Sequence, residues 1–297
     1  MRSKISAIIN TLNAKDNIER AIKSVKWTDE ILVCDMYSED KTVEIAKKLG
    51  AKVVFHKKLE YVEPARNFAI SKASNDWVLI LDPDEEVPQS LGERLFQIAS
   101  KMKQIDYVRL PRKNLIFNKW MRASMWWPDY NIRFFKKGKV VWSDEIHRPP
   151  DTTGEGLDLP AEENFAILHH NYQTISQFIN RMNRYTEVEA KYLIKHNYRF
   201  KWFDLLEKPL SEFLSRFFAN KGYMDGLHGL ALSLLQALSF LIVYLKVWED
   251  SGFKETVLNL TDLESEKNKA AYQINYWIRE SKLPKNPFKR FLSKFKV

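Results

Sequence analysis

The feature that most constrains the fold is an alternation of short apolar runs with amphipathic segments in the first part of the chain. In one such segment, apolar positions recur at helical spacing at Ile18, Ala21, Ile22 and Val25. Strands that alternate with helices pair side by side in one direction. The pattern therefore predicts an α/β fold with a mostly parallel central sheet. The apolar runs of strand length are residues 5–10, 31–34, 51–55 and 77–81.

Polar side chains follow three of these predicted strands at the carboxyl end. Thr11 and Asn13 come after the first strand, Asp35 after the second, and Asp82 and Asp84 after the fourth. Ligands of parallel sheets bind outside these ends. Carboxylates at such an edge can hold Mg²⁺ or Mn²⁺, and the cation can neutralise a diphosphate.

The acidic run at residues 82–86 has a second interpretation when it is taken alone, as a solvated turn before a helix over residues 88–99. The first strand is not followed by G-x-G-x-x-G, and the chain has no G-K-[ST] phosphate loop. These absences disfavour a dinucleotide dehydrogenase and a P-loop NTPase. A diphosphate at this edge would therefore need a metal bridge instead of a cradle of backbone N–H groups.

Charge and cysteine content bear on location and partners. Cys34 is the single cysteine, and the N-terminal segment lacks the apolar stretch of a signal peptide, so a cytoplasmic location is expected. The formal net charge of +9 favours an anionic partner, which can be nucleic acid, a phosphorylated ligand or an anionic membrane face. A nucleic-acid-binding protein is the alternative outside the enzymes, but it gives no reason for acids at strand ends.

Four motifs resemble, in order, those of the family 2 glycosyltransferases, and the likeness is nearest to the bacterial branch that builds lipopolysaccharide cores and other surface glycans. The resemblance covers roughly the first two thirds of the chain. It implies a Rossmann-like GT-A fold and a metal-dependent transfer, of hexosyltransferase type, from a nucleotide-sugar donor that is usually a UDP-sugar. The motifs are TLN at 11–13, VCDMYSEDKT at 33–42, EPARNFAI at 63–70 and LDPDEEV at 81–87.

The resemblance implies roles for individual residues of these motifs. Thr11 and Asn13 belong to the first donor-binding motif. Asp35 would lie near the nucleobase of the donor, and Asp82 near its ribose. Asp84 would bind the Mg²⁺ or Mn²⁺ that bridges the diphosphate.

Further implied positions lie outside the acidic motifs. Arg66 and Asn67 match residues that line the nucleotide pocket, although a surface pair on an amphipathic helix is the alternative. His169, in the segment LHHN, resembles a downstream histidine that completes the metal shell or touches the diphosphate. A structural histidine is the alternative there.

An inverting transfer needs a base for the acceptor hydroxyl, and the segment WSDEIHRPP after residue 141 offers carboxylates. The segment resembles the acceptor-side motif of this branch, in which an acid flanks the histidine. Many relatives carry a glutamate directly after that histidine, where this chain has Arg148. We predict Glu145, and after it Asp144, as the catalytic base, with turn-capping acids as the alternative.

Two segments after the fourth strand carry their own predictions. Residues 131–135 and 140–142 predict a hairpin whose turn lies at Lys137 and Gly138. Residues 151–164, with two glycines and many acids, predict a flexible loop that can close over bound donor.

The last third is helical in pattern, so the predicted domains are a catalytic domain over residues 1–200 and a membrane-associating helical extension over 201–297. Residues 226–247 are mostly apolar and approach the length of a membrane span. Polar residues within them favour a helix lying in the membrane interface over a spanning one. A helical cap on the core or a dimer interface is the alternative. The final residues place phenylalanines at helical spacing among lysines, which suits an anionic leaflet.

The sequence thus predicts a glycosyltransferase of cell-envelope or lipopolysaccharide biosynthesis, peripheral on the cytoplasmic face of the membrane. It would transfer a sugar with inversion from a UDP-sugar to a lipid-linked or surface-glycan acceptor, without nucleic acid as a partner. Transfer to a polyprenyl phosphate is the enzymatic alternative, and it would need no base because that acceptor is already an anion.

Overall fold

A computed structural model describes residues 3–58, 63–143 and 149–282. The chain divides into two compact units. The first comprises Met1–Ile116 and Trp127–Asn171, and the second comprises Phe117–Trp126 and Tyr172–Val297.

The first unit alternates strands and helices along its N-terminal part and becomes richer in strands after its fourth helix. Its helices are α1 (Ile18–Ser24), α2 (Thr42–Lys48), α3 (Glu63–Lys72) and α4 (Gln89–Lys101). Its strands are β1 (Ile5–Thr11), β2 (Glu30–Asp35), β3 (Lys52–Phe55), β4 (Trp77–Leu81), β5 (Glu85–Glu86), β6 (Ile105–Leu110) and β7 (Arg112–Ile116), followed, after β8 (Lys119–Trp120) of the second unit, by β9 (Asn131–Lys136), β10 (Val140–Val141), β11 (Asp151–Thr152), β12 (Glu155–Asp158) and β13 (Ile167–His170).

The central sheet has the strand order β12-β6-β9-β4-β1-β2-β3. All of its neighbouring pairs are parallel except those that β9 makes with β4 and β6. Residues on both faces of β1 and β4 are buried, because helices and loops cover the two sides of the sheet. The predicted mostly parallel α/β fold is confirmed.

The prediction of a hairpin after residue 131 is wrong, although its turn is present. Lys139 donates a backbone hydrogen bond to Lys136 (3.0 Å), and Gly138 has a φ of +84°, as a tight turn requires. β9 leaves this turn to pair with β4 and β6, whereas β10 pairs antiparallel with β11. A local turn signal does not specify which strand a segment joins.

The prediction of a flexible loop over residues 151–164 is also wrong. The segment contains β11 and β12, and β12 forms the edge of the central sheet by pairing parallel with β6. Gly156 permits this pairing, because a Cβ at that position would lie 2.4 Å from the ring of Tyr107. Here the glycine marks a close approach between strands instead of mobility.

The second unit is helical. Its helices are α5 (Ile175–Lys195), α6 (Asp204–Leu214), α7 (Leu227–Asp250) and α8 (Leu260–Lys282). Both α5 and α6 pack against α7. Among the described residues, α7 is long and apolar enough to cross a membrane by length and composition, with a mean hydropathy of 2.0.

The segment 117–126 belongs to this helical unit because Asp225, which is buried, holds it in place. The Asp225 carboxylate accepts hydrogen bonds from the backbone N–H groups of Arg122 (3.1 Å) and Ala123 (2.8 Å). This division differs from the predicted boundary after residue 200, since α5 and a segment between two strands of the first unit pack with the C-terminal helices.

Candidate functional site

The strand ends singled out in the sequence lie on adjacent strands. β1 lies between β2 and β4, and Thr11 pairs with Asp35 at the carboxyl ends of β1 and β2. Ile9 pairs with Leu81 on the other side, so Asp82 leaves β4 beside the same end. Neighbouring strands are about 4.8 Å apart, so these positions share one edge of the sheet.

A turn at Asp82 to Glu85 follows β4 directly. The N–H of Glu85 donates to the backbone oxygen of Asp82 (3.0 Å), and the Glu85 carboxylate accepts from the N–H of Asp82 (2.9 Å). These two hydrogen bonds hold the turn in one conformation, and the turn carries the side chains of Asp82 and Asp84.

Asp82 belongs to a network of alternating charges. Its carboxylate pairs with Arg66 (3.0 Å) and with Arg133 (2.5 Å), and Arg133 also reaches Glu85 (2.8 Å). Glu85 and Arg133 are almost fully buried. Arg112 extends the network from Glu85 (3.2 Å) to Asp129 (2.8 Å). Burial alone would raise the pKa of the Asp82 carboxyl, but Arg133 and Arg66 outweigh it and hold the pKa well below its usual range.

Asp84 and His169 face each other across a short gap. β13 pairs antiparallel with β5, and the N–H of His170 donates to the backbone oxygen of Asp84 (2.8 Å). This places Nε2 of His169 3.7 Å from Oδ1 of Asp84, with both side chains mostly buried. Two ligands of one Mg²⁺ at roughly 2.1 Å each lie at most about 4.2 Å apart, so the pair has a spacing that one cation can bridge.

This donor set fits a hard divalent cation only in part. Within the described ranges, no group of three or more His, Cys, Asp and Glu side chains is arranged to hold a metal ion. Mg²⁺ is commonly held by one or two protein ligands together with substrate phosphates and water. Asp84 and His169 therefore suit a cation that arrives with a diphosphate, and the metal prediction for both residues stays a prediction.

Unpaired polar atoms lie at the end of β1 and on Arg66 of α3, which pairs with Asp82. In the described part of the chain, neither amide atom of Asn10 has a hydrogen-bond partner, and the same holds for Oγ1 of Thr11 and Nε of Arg66. Asn10 and Thr11 are almost fully buried. Because an unsatisfied buried polar group costs about 1–3 kcal/mol, these atoms are candidates for hydrogen bonds to a polar ligand.

Asn10 is not among the binding residues predicted from the sequence. The available signal was an asparagine at the end of the apolar run ISAIIN, next to the predicted binding residue Thr11. Its pairing with Cys34 on β2 places it one residue before the edge of the sheet.

Other predicted donor-binding residues are held by protein contacts. The Asp35 carboxylate accepts from the N–H (2.8 Å) and the hydroxyl (2.5 Å) of Ser38. Asn13, at a φ of +51°, accepts from the N–H of Glu39 (2.8 Å), which ties together the loops after β1 and β2.

The Asn67 amide is occupied by the main chain of Trp142. It donates to the backbone oxygen (2.7 Å) and accepts from the backbone N–H (3.0 Å) of that residue. This pairing holds the segment after β10 against α3. Arg66, one residue earlier, lies over the ring of Trp142 at 5.7 Å in addition to its pair with Asp82.

The predicted bases Glu145 and Asp144 lie outside the described residues. They follow Trp142, whose main chain is fixed by Asn67. Their assignment stays a prediction.

The arrangement offers acidic and histidine ligands beside unpaired polar groups at the carboxyl edge of a mostly parallel sheet. This defines an α/β protein with acidic and polar side chains at the sheet edge where ligands of mostly parallel sheets bind. Comparisons with known proteins agree with this class.

Residues 6–153 match the family described as glycosyl transferase family 2. An uncharacterized glycosyltransferase of Rickettsia typhi is 34% identical over 248 residues, covering 80% of this chain and 84% of that protein. The lipopolysaccharide core biosynthesis glycosyltransferase LpsC of Rhizobium meliloti is 21% identical, covering 84% and 94% of the two chains. Among solved structures, the mannosyltransferase PcManGT of Pyrobaculum calidifontis with GDP-Man and Mn²⁺ superposes with a TM-score of 0.45 at 13% identity, covering 94% of this chain and 84% of that one.

The chain belongs to glycosyltransferase family 2. The family predicted from the four sequence motifs is confirmed, as is the GT-A class of fold with helices C-terminal to the sheet.

Proposed function

We propose that the protein is an inverting, metal-dependent hexosyltransferase that takes its sugar from a UDP-sugar. The observation that carries this proposal is the approach of Asp84 and His169 to 3.7 Å at the sheet edge, in a chain of glycosyltransferase family 2. The unpaired atoms of Asn10, Thr11 and Arg66 support a polar ligand at the same edge.

In this proposal the acceptor hydroxyl oxygen attacks the anomeric carbon as the bond from that carbon to the β-phosphate oxygen breaks. The configuration inverts, UDP leaves, and the hydroxyl proton passes to a carboxylate, for which Glu145 is the first candidate and Asp144 the second. Asp84 and His169 would hold Mg²⁺ or Mn²⁺, which when bound neutralises charge on the leaving diphosphate.

The remaining donor contacts follow from position at the sheet edge. Thr11 and Arg66 have unpaired atoms to offer, and Asp35 keeps acceptor capacity beyond its bonds to Ser38. Asp82 acts mainly by orienting Arg66, because two guanidinium groups already bind its carboxylate. Asn13 and Asn67 shape the pocket through the loops that they hold.

For the acceptor we propose a lipid-linked or surface glycan. The similarity to LpsC, whose name assigns it to lipopolysaccharide core biosynthesis, supports this class. It also favours a role in building the cell envelope.

We propose that the second unit rests on the cytoplasmic face of an anionic membrane through α7. One face of α7 packs against α5, which carries many charges, so a spanning α7 would draw those charges into the hydrocarbon. Only a third of the most apolar stretch of α7 is buried. Lysines and arginines among phenylalanines in residues 283–297 complement an anionic surface. The exposed apolar side chains on α7 are Leu227, Leu234, Leu238 and Phe240.

A nucleotide screen tests the proposed reaction. UDP with Mn²⁺ should raise the melting temperature, because a ligand at 100 times its Kd stabilises by about 2.7 kcal/mol, and EDTA should abolish the shift. Asp84→Asn and His169→Ala should lose the part of the melting-temperature shift that depends on Mn²⁺. His170→Gln, on the same strand as His169, is the matched control and should keep the shift. If no nucleotide changes the melting temperature of the unmodified protein, the proposal is contradicted.

Product analysis tests the stereochemistry and the base. NMR of the product should show the anomeric configuration opposite to that of the donor. Glu145→Gln or Asp144→Asn should abolish transfer to a hydroxyl while leaving UDP binding intact. Unchanged turnover in both variants would point to an acceptor that needs no base, such as a polyprenyl phosphate.

Co-sedimentation with vesicles tests the membrane contact. The protein should bind vesicles that contain phosphatidylglycerol more strongly than purely zwitterionic ones, and Leu234→Glu with Leu238→Glu should release it. Val141→Glu, at an apolar residue of the first unit that is 52% exposed, is the control. Equal binding by the α7 variant and the control would exclude this face.

A further inference from the structure

Asn114 on β7 lies behind the Asp84 and His169 pair and is fully buried. Its side-chain nitrogen donates to Oδ2 of Asp129 (2.8 Å), and its side-chain oxygen lies 2.6 Å from Nδ1 of His169. Asn171 makes a longer contact to the same oxygen (3.5 Å). Asn114 therefore joins the Asp129 carboxylate, whose side chain is 25% exposed, to the predicted metal-binding histidine.

The charge on Asp129 decides which way the Asn114 amide points. Arg112 donates through Nε to Oδ2 of Asp129 (2.8 Å) and forms an ion pair with the Asp129 carboxylate. An ionised carboxylate only accepts hydrogen bonds, so the Asn114 atom that faces Asp129 must be the NH₂ group. The carbonyl oxygen of Asn114 then faces His169.

The amide direction in turn decides the tautomer of His169. A carbonyl oxygen only accepts, so Nδ1 of His169 must carry the proton in a bond of 2.6 Å. When the ring carries this one proton, Nε2 keeps its lone pair, 3.7 Å from Oδ1 of Asp84. Two acceptors that face each other across this gap suit a bound cation and do not suit a direct hydrogen bond.

We propose that Asn114 is a positioning residue that holds His169 in the tautomer whose Nε2 can bind the divalent cation shared with Asp84. It acts through His169 and does not itself touch the cation. Asp129 and Arg112 set its direction. This inference rests on the proposed metal-dependent function, and it adds the way in which the protein prepares one of the two ligands.

The alternative is that Asn114 only fills a buried polar position between β7 and β13. A structural role of that kind would lower stability on substitution without changing the His169 tautomer or the metal affinity of the folded protein. The two roles therefore differ in measurable quantities other than turnover.

The tautomer is measured first in the unmodified protein, which avoids any effect of substitution on folding. In ¹⁵N-histidine-labelled metal-free protein, the resonances that disappear in His169→Gln identify His169. Their shifts should show a protonated Nδ1 and an unprotonated Nε2. A His169 with its proton on Nε2 would overturn the proposal.

Metal affinity is measured next, as the Kd for Mn²⁺ in the presence of UDP, followed by electron paramagnetic resonance of the free ion. Loss of an outer-shell partner typically weakens metal binding by roughly 10–100-fold, so Asn114→Ala should do so. The ring of His170 forms a hydrogen bond with Glu86 (2.5 Å). His170→Gln is therefore the control and should bind Mn²⁺ with unchanged affinity.

His169→Ala separates failure of this inference from failure of the proposed function. If His169→Ala binds Mn²⁺ as well as the unmodified protein, the metal site itself is wrong. If His169→Ala weakens binding but Asn114→Ala, folded by circular dichroism, leaves affinity and tautomer unchanged, only the positioning role of Asn114 is wrong.

Discussion

Arg133 provides a sharp test of the buried charge network. Its side chain is 4% exposed and pairs with both Asp82 and Glu85. After Arg133→Met, Asp82 retains Arg66 and Glu85 retains Arg112, but the network holds one negative charge more than it can pair. Removing one partner of a buried ion pair typically costs about 3–5 kcal/mol, and we expect a loss of unfolding free energy in that range at pH 7.

The pH dependence of this loss follows from the carboxylates. In the unmodified protein the pKa of Asp82 is lowered, so its contribution to stability is present above its ordinary value of about 3.9 and is lost as the pH falls through the lower folded value. In Arg133→Met, the carboxylates of Asp82 and Glu85 lose the guanidinium group that they share. As a result, the pKa of this pair should rise. The loss of unfolding free energy caused by Arg133→Met is therefore largest at neutral pH, and it becomes smaller as acid protonates these carboxylates.

Urea unfolding followed by tryptophan fluorescence at pH 7 and pH 5 measures both effects. Arg109→Met is the matched control, because Arg109 and Asp158 form an exposed ion pair whose loss should cost about 0–1 kcal/mol at either pH. The double variant Arg133→Met with Glu85→Gln should recover part of the loss by removing the excess charge. If Arg133→Met lowers the unfolding free energy no more than Arg109→Met does, or if this loss is as large at pH 5 as at pH 7, Arg133 does not stabilise the protein by pairing buried carboxylates.

Three further outcomes are expected. Asn10→Leu should raise the melting temperature of the ligand-free protein, because it removes an unpaired buried amide, and should weaken UDP binding by about tenfold, which is 1.4 kcal/mol; weaker stability with unchanged UDP affinity would contradict this. Asp225→Ala should destabilise by about 1–3 kcal/mol and speed hydrogen exchange at the amides of Arg122 and Ala123, whereas Asp225→Asn should be milder. Cys34 should react with Ellman's reagent only in urea, because burial and the neighbouring Asp35 raise its pKa to about 11, and rapid modification of the native protein would argue against this environment.

The parallel half of the sheet was predictable because its signals are local. Runs such as residues 77–81 are wholly apolar since both faces of β4 are buried, and helical spacing such as that of Ile18 and Ile22 reports the inward face of α1. Polar residues directly after such strands identify the binding edge, since parallel strands end on the same side. Family motifs lie in these same segments, which is why the family could also be identified.

The strands after α4 were harder to predict because their partners are distant in sequence. β9 inserts antiparallel between β4 and β6, and β12 pairs with β6 across about 50 residues. Turn residues such as Gly138 specify a change of direction only. The strand that finally pairs with a segment is selected by burial and hydrogen bonding across the whole unit.

The sequence by itself determined the class of fold, the edge of the sheet at which the candidate site lies, and the candidate ligands Asp84 and His169. Only the tertiary structure decided that these two side chains lie 3.7 Å apart, that Arg66 and Arg133 hold Asp82, and that Asn114 contacts the histidine. The spacing of apolar residues is a property of neighbouring positions in the sequence, so it can be recognised without the tertiary structure. The pairing of buried charges and the direction of a buried amide depend on partners brought together from separate strands, and those partners are defined only when the chain has folded.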